Sequence, residues 1–335
     1  MSSTLDLSIV IPLLNEEESL EQLVDWIDAT LSSRPLNYEI LLIDDGSTDR
    51  SWEVIDALSR KRGHINAIQF SRNYGKSQAL NAGFAAAQGN VVITMDADLQ
   101  DSPEEIPELY CMIVDQKYDL VSGWKRKRYD NVLFKNLPSK LFNWAARRAS
   151  GLKLHDFNCG LKAYRREVTQ QVDVYGEMHR YIPVLAAHKG FTRITEKEVK
   201  HQARQFGVTK FGSERFIRGF LDLLTISFLT RFGNRPMHFF GTLGGIMVFL
   251  GVMSAAYIGL EKLGAVYNGN PMRLVTNSPW FYISLTTILI GTQLFIAGFL
   301  GELIQRNRGN KKRYVISRSI KPRFATHVTP ETTIA

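Results

Sequence analysis

Two carboxylates and an amide stand in alternation at Asp96-Ala97-Asp98-Leu99-Gln100. They follow Val91-Val92-Ile93-Thr94-Met95, a short apolar run rich in β-branched residues that reads as a buried parallel strand. A strand ending in two acids places both at the carboxyl edge of a sheet, where ligands of open α/β folds bind. In extended chain, Asp96, Asp98 and Gln100 point to one side. Three hard oxygen ligands there suit Mg²⁺ or Mn²⁺, above all an ion already holding a diphosphate. A solvated turn leading into the helix opened by Ser102-Pro103-Glu104-Glu105 is the plainer alternative.

The elements that must position this stretch can be read on either side of it. Residues 7–12 form a first buried strand, and Asn15-Glu16-Glu17-Glu18 opens a helix whose acids suit its positive end. Leu20, Leu23, Val24, Ile27 and Leu31 recur at helical spacing and belong to the core. A second strand at 38–43 runs into Asp44-Asp45-Gly46-Ser47-Thr48-Asp49, a strand-to-helix edge with a glycine turn and a capping cluster. Carboxylates placed there can accept hydrogen bonds from a base or a ribose. A third strand at 67–70 leads into the loop 71–76, then a helix with a small-residue face at Ala79, Leu80, Gly83, Phe84 and Ala87. A further strand spans 118–123. Such alternation predicts an α/β fold with a mostly parallel, doubly wound, Rossmann-like sheet. The chain has neither G-x-G-x-x-G nor G-x-x-x-x-G-K-[ST], which disfavours a dinucleotide site and a P-loop. Asp156, in Asp156-Phe157-Asn158-Cys159-Gly160-Leu161-Lys162, is a further candidate carboxylate beside a glycine turn.

The chain carries 41 Lys+Arg against 33 Asp+Glu, a net charge of +8. The basic residues cluster at 125–128, 147–148, 200–218 and 306–323, several beside apolar segments. No nucleic-acid-binding motif accompanies them, so a membrane surface and phosphate are the expected partners, and nucleic acid is not. Two cysteines, Cys111 and Cys159, make no disulfide framework and fit a reducing cytosol. No signal peptide is expected from the polar start. Two uncharged stretches, 239–260 and 280–300, meet the length of about 20 residues needed to span a bilayer. Arg215, Arg218, Arg231 and Arg235 precede the first, and Arg306, Arg308, Lys311, Lys312 and Arg313 follow the second. The positive-inside rule then puts both termini in the cytoplasm. The stretch 133–144 reads as an amphipathic interfacial helix, and 204–218 as a basic, glycine-containing loop placed to hold phosphate near the bilayer.

Four blocks in order complete a pattern: Ile9-Val10-Ile11-Pro12 with Asn15-Glu16, Ile43 to Asp49, Met95 to Asp101, and Asp156 to Lys162. With the two spans, they resemble the family 2 glycosyltransferases of GT-A fold, and within them the polyprenyl-phosphate glycosyltransferases. The resemblance implies a cytoplasmic GT-A catalytic domain over 1–212, a juxtamembrane amphipathic helix over 213–235, two transmembrane helices over 236–305 and a basic, weakly structured cytoplasmic tail over 306–335. It assigns Pro12, Glu16, Asp44, Asp45, Ser47 and Asp96 to the nucleotide, and Asp96, Asp98 and Gln100 to the metal and diphosphate. Asp98 and Asp156 become the catalytic carboxylates, Asp156 orienting the acceptor or acting as a base. Arg126, Arg128, Arg147 and Lys210 are the candidates for the acceptor phosphate. Leu14 departs from the family, where many relatives carry an aromatic residue.

The implied reaction is inverting transfer of a hexose from a nucleotide sugar to a polyprenyl phosphate at the cytoplasmic face, in a bacterial inner membrane. UDP-glucose is the first choice of donor and GDP-mannose the second, with Mg²⁺ or Mn²⁺ as cofactor and a homo-oligomer, a tetramer in relatives, as the assembly. A processive polysaccharide synthase is disfavoured by only two spans and no Q-x-x-R-W motif. Transfer to a non-lipid acceptor and a non-catalytic scaffold or flippase subunit are the remaining alternatives.

Overall fold

The computed structural model describes residues 5–126, 147, 151–174, 176, 178–202, 236–269, 274–306 and 314–320. The chain divides into two units, Met1–Ser227 with Lys312–Ala335, and Phe228–Lys311. The expected interfacial helix at 133–144, the basic loop from 204 and the juxtamembrane helix lie outside the described residues.

The first unit is built on one eight-stranded sheet of order β7-β5-β6-β4-β1-β2-β3-β8. Its strands are β1 (Leu7–Leu13), β2 (Tyr38–Asp44), β3 (Ile65–Phe70), β4 (Val91–Thr94), β5 (Leu120–Trp124), β6 (Lys162–Arg165), β7 (Ile194–Glu198) and β8 (Ile316–Ile320). The helices around it are α1 (Leu20–Leu31), α2 (Ser51–Lys61), α3 (Lys76–Ala86), α4 (Ile106–Val114), α5 (Arg166–Gln171) and α6 (Ile182–His188). β1 pairs in parallel with both β2 and β4, and β2 with β3. Every residue of β1 is buried, as a strand covered on both faces requires. β6 breaks the parallel run, lying antiparallel to both β4 and β5. The small-residue face of α3 lets it approach the sheet closely: a Cβ on Gly83 would strike Val10 Cγ1.

The tail departs from expectation. Far from being weakly structured, its residues 316–320 form β8, antiparallel to β3 at the edge of the sheet. Periodicity alone could not show this, because β8 is short and all but its last residue are exposed. An edge partner satisfies the outward backbone groups of β3 and blunts an edge otherwise open to association.

The second unit is a pair of helices, α7 (Pro236–Tyr267) and α8 (Pro279–Arg306). Only 11% and 17% of their most apolar windows are buried, while Phe249, Tyr257 and Leu260 are well over half exposed. A soluble core helix would bury such a surface; a bilayer accommodates it. The pair meets through small residues, since a Cβ on Gly291 would lie 2.8 Å from the Gly244 carbonyl oxygen. Ser284 donates a hydrogen bond to Ser254 across the pair at 2.7 Å.

Remote from the carboxyl edge, Asp28 ties α1 to its neighbours. It accepts from the Tyr38 hydroxyl at 2.8 Å and the Arg62 guanidinium at 2.9 Å, and meets His64 Nε2 at 2.9 Å. Burial opposes its charge, but the His64 and Tyr38 hydrogen bonds and the nearby Arg62 outweigh that and hold its pKa below the usual carboxylate value. Asp28→Asn is therefore expected to cost about 1–2 kcal/mol at pH 7 in chemical denaturation. A depressed carboxylate stabilises the fold above its unfolded pKa and loses that contribution as pH falls through the folded value. The difference between variant and parent should accordingly shrink below about pH 4.

Candidate active site

The parallel register brings the chemistry of three loops to one edge. Leu13 of β1 stands beside Asp44 of β2, and the Met95 N–H donates to the Val10 carbonyl at 3.1 Å. Pro12, Asp44-Asp45 and Asp96 therefore lie at neighbouring strand ends. The loops after β1 and β2 are stitched together by backbone donors. Asn15 N–H donates to Ser47 Oγ at 2.9 Å, Thr48 N–H to Asn15 Oδ1 at 2.8 Å, and Arg50 N–H to Glu17 Oε2 at 2.8 Å. Asn15 takes a positive φ of 55°, which asparagine tolerates better than most residues. The acidic run therefore does not open α1, which begins at Leu20. Glu16 and Glu17 are used between loops instead, Glu16 N–H donating to Ser51 Oγ at 2.9 Å.

The paired acids after β2 are held rather than splayed. Asp44 is fully buried, accepting from Ser47 N–H and from Gln69 Nε2, each at 2.8 Å. Asp45 accepts from the backbone N–H groups of Tyr74 at 2.7 Å and Gly75 at 2.9 Å. Burial raises the Asp45 pKa despite these two bonds. Asp45 thus fixes the shape of the loop 71–75, which presses over Gly46, while Asp44 ties the turn after β2 to β3. Gly46 has a φ of 77°, and a Cβ there would lie 2.7 Å from Arg72 Cα. The tail supports the same loop: Ser71 N–H donates to the Val315 carbonyl at 3.0 Å, and Tyr314 stacks on Phe70 at 4.8 Å between centroids. Ending the chain before Tyr314 is expected to raise KM for the nucleotide substrate several-fold, about 1 kcal/mol for one lost stack and edge contact. Steady-state kinetics of the truncated chain would check this, and an unchanged KM would detach the tail from the site.

Asp96, Asp98 and Gln100 are part-exposed, while Met95, Ala97 and Leu99 between them are buried. The one-sided placement expected of an extended chain is thus reached, although Leu99 sits at a φ of 59° and bends the segment into a turn. Asp98 Oδ1 accepts from Gln100 N–H at 3.3 Å. Lys76, at the start of α3, bridges Asp96 at 2.5 Å. Burial works against the Asp96 charge, but the ammonium groups of Lys76 and then Lys125 overcome it and bring the pKa to about 2. Behind the turn, Lys125 pairs with the buried Asp101 at 2.6 Å, and Gln202 N–H donates to the Gln100 carbonyl at 2.9 Å.

The fourth motif closes the site from β6. Asp156 is 2% exposed and accepts from Asn158 N–H at 2.9 Å. Thr94 Oγ1 donates to the Gly160 carbonyl at 2.8 Å and draws Gly160 against Asp96, whose Cγ would lie 2.5 Å from a Cβ at that glycine. Lys162, 3% exposed, donates to the carbonyls of Phe157 and Cys159. Lys76, Gly160 and Lys162 lie in stretches whose pattern marked them as loop or motif but gave them no role. A lysine directly after the apolar Leu161, at the first position of β6, was the one available signal. His179, bonded to Ser77 through Nδ1 at 3.1 Å, had none.

Of the residues expected at an acceptor phosphate, Arg126 is exposed and 3.4 Å from Glu198, and the Arg147 carbonyl accepts from Gly151 N–H at 2.9 Å. Arg128 and Lys210 fall outside the described residues. For a divalent ion, the donor chemistry of Asp98, Asp96 and Gln100 fits, since all three offer hard oxygens. Among the described residues no group of three or more His, Cys, Asp or Glu side chains is gathered to hold a metal. One of the two carboxylates is also partly neutralised by Lys76. The residues therefore fit an ion that completes its shell with diphosphate and water, not a closed protein cage.

Residues 8–173 match the family model described as Glycosyl transferase family 2. The chain is 36% identical over 307 residues to a dodecaprenyl-phosphate galacturonate synthase of Rhizobium johnstonii, covering 90% of this chain and 88% of that protein. It is 35% identical over 321 residues to an undecaprenyl-phosphate 4-deoxy-4-formamido-L-arabinose transferase of Pseudomonas paraeruginosa, covering 94% and 90%. A crystal structure of glucosyl-3-phosphoglycerate synthase from Mycobacterium tuberculosis in complex with UDP superposes with a TM-score of 0.52 at 22% identity, over 66% of this chain and 80% of that one. That last likeness concerns the fold, which is GT-A.

Proposed function

The chain belongs to glycosyl transferase family 2, and we propose that it transfers one sugar from a nucleotide sugar to the phosphate of a polyprenyl lipid, with inversion, at the cytoplasmic face of a membrane. The observation that carries this reading is the Asp96-to-Gln100 turn at the carboxyl edge of the parallel strands, in a chain that also bears two helices able to span a bilayer. The relatives named above act on dodecaprenyl and undecaprenyl phosphate, which supports a lipid phosphate as acceptor.

The chemistry follows from the substrates' charges. A phosphate monoester with its second pKa near about 6 is largely a dianion at pH 7 and needs little help as a nucleophile. Its oxygen forms a bond to the anomeric carbon as the bond to the nucleoside diphosphate breaks, so an α-linked donor gives a β-linked product. Alignment and charge neutralisation then dominate the barrier. Pro12, Glu16 and Ser47 line the nucleotide side, with Asp44 and Asp45 holding its loops in shape. Asp98, with Asp96 and Gln100, faces the diphosphate. A Mg²⁺ or Mn²⁺ ion bound there would neutralise the leaving group. Arg126, Arg128, Arg147 and Lys210 offset repulsion between the two anionic substrates, and Asp156 orients the acceptor. The donor is a hexose nucleotide, with UDP-glucose as the first choice and GDP-mannose as the second.

The catalytic part is proposed to span 1–212, the juxtamembrane helix 213–235, the spans 236–305 and a basic cytoplasmic tail 306–335, of which Ile316–Ile320 joins the catalytic sheet. Flanking arginines and lysines favour both termini on the cytoplasmic side of a bacterial inner membrane, in a homo-oligomer. The test is product formation by the detergent-solubilised chain with Mg²⁺ or Mn²⁺, undecaprenyl phosphate and a panel of labelled nucleotide sugars. Lipid-linked sugar from one donor supports the proposal. Hydrolysis or transfer to another acceptor, with no lipid product from any donor, removes it.

A further inference from the structure

A cavity opens beside Asp96, between the ends of β4 and β6 and the start of α3. Its volume is about 20 Å³, room for a group of the size of a water, and it is partly open to solvent. Its wall carries three cations, Lys76, Lys162 and Arg180, and one carboxylate, Asp96. Asp96 is already bridged to Lys76. Among the described residues no carboxylate pairs with Lys162 or Arg180. The two backbone carbonyls that Lys162 contacts satisfy hydrogen bonds without cancelling its charge. The Tyr164 hydroxyl is fully buried in the same wall, beside Thr94. Asn158 Oδ1 has no hydrogen-bond partner, and an amide flip would make it a donor. His179 records the local field: burial, then Lys76 and Arg180, push its pKa well below the usual histidine value. Three cations facing one carboxylate in a partly buried wall are costly unless an anion completes the site.

We propose that this cavity receives the carboxylate of an acidic donor sugar, so that the donor is a nucleoside-diphosphate uronic acid and not a neutral hexose. The inference rests on the transferase reading above and narrows it, placing acidic hexoses ahead of UDP-glucose and GDP-mannose. The competing anion is the donor's own diphosphate, which the UDP and GDP arms of the test below distinguish. The carboxylate takes no part in bond making; it fixes the sugar against Lys162, Arg180 and Tyr164 while the anomeric carbon faces the acceptor.

The test is equilibrium binding to the full chain in nanodiscs with Mn²⁺. Three pairs are compared: UDP-glucuronate with UDP-glucose, UDP-galacturonate with UDP-galactose, and GDP-mannuronate with GDP-mannose, beside UDP and GDP alone. In at least one pair the acidic member is expected to bind about tenfold or more tightly than its neutral partner, as charge-assisted hydrogen bonds require. Arg180→Met and Lys162→Met should each reduce that preference below about threefold, and should weaken the acidic donor more than the nucleoside diphosphate. If Lys162→Met fails to fold, Arg180→Met, at a part-exposed position, decides the matter. Equal affinities within every pair, or no binding by any acidic donor, overturn the inference. An equal loss for UDP or GDP alone also overturns it and assigns the cations to the diphosphate. Lipid-linked product from a neutral hexose alone overturns the inference and leaves the transferase reading intact. Absence of lipid product from every donor removes the transferase reading, while the binding preference still decides the acidic-sugar site.

Discussion

Asp98→Asn is expected to lower kcat/KM for sugar transfer by about 10²–10³-fold, the usual effect of removing one preorganised group from a site of developing charge. The substitution keeps the shape of the side chain and an oxygen to accept the Gln100 N–H, so the turn retains its geometry. What it removes is one negative charge at the proposed leaving-group site. Asp98 is the informative position because Asp96 is bridged to Lys76, and changing Asp96 would also unbind that lysine. A part-exposed carboxylate at a turn contributes little to the fold, so the melting temperature should stay within a few degrees while activity falls. Substrate concentration series at fixed Mn²⁺ would read the effect. A kcat/KM within about threefold of the parent would take Asp98 out of the leaving-group site.

Gly160→Ala carries the second large effect, expected near 10²-fold in kcat/KM, the order set by a misplacement of about 1 Å at a reacting centre. Gly160 does not occupy the left-handed region, so its backbone tolerates a side chain. The obstacle is Asp96: a Cβ would lie 2.5 Å from its Cγ and 2.6 Å from Oδ1. The segment cannot retreat freely, because Thr94 holds the Gly160 carbonyl at 2.8 Å. Asp96 must therefore move, and its bridge to Lys76 moves with it. Gly63→Ala is the matched control, since a Cβ there meets nothing within 4 Å, and it should leave kcat/KM unchanged. Comparable activity in both variants would show that Asp96 need not be held where it stands.

The strands that build the site announce themselves because a parallel sheet covered on both faces demands continuous apolar runs. β1, β2 and β4 are such runs, and each ends in residues that cannot be buried without a purpose. Asp96, Asp98 and Gln100 follow from that: an apolar strand must stop at the sheet's edge, and alternation sends the polar residues to the open side. The two spans are legible for a similar reason, since long uncharged stretches have few stable settings outside a bilayer. β8 was not legible. Ile316–Ile320 is short and mostly exposed, and its stability comes from the open edge of β3, a partner more than two hundred residues earlier in the chain.

Local sequence fixes which residues reach the carboxyl edge, because chain direction and side-chain alternation are local rules. Which groups then face a substrate and which face each other is decided by tertiary contacts. Asp44 and Asp45 read as ligands in sequence, and the fold adds a second task, since their oxygens accept from Ser47, Gln69, Tyr74 and Gly75. Lys162 reads as one cation among 41 Lys+Arg, yet it ends inside the protein, where it donates to the Phe157 and Cys159 carbonyls and makes no salt bridge among the described residues. Charge in a sequence is only a count. Its cost, and therefore its use, depends on how much water the fold removes and which opposite charges it leaves within reach.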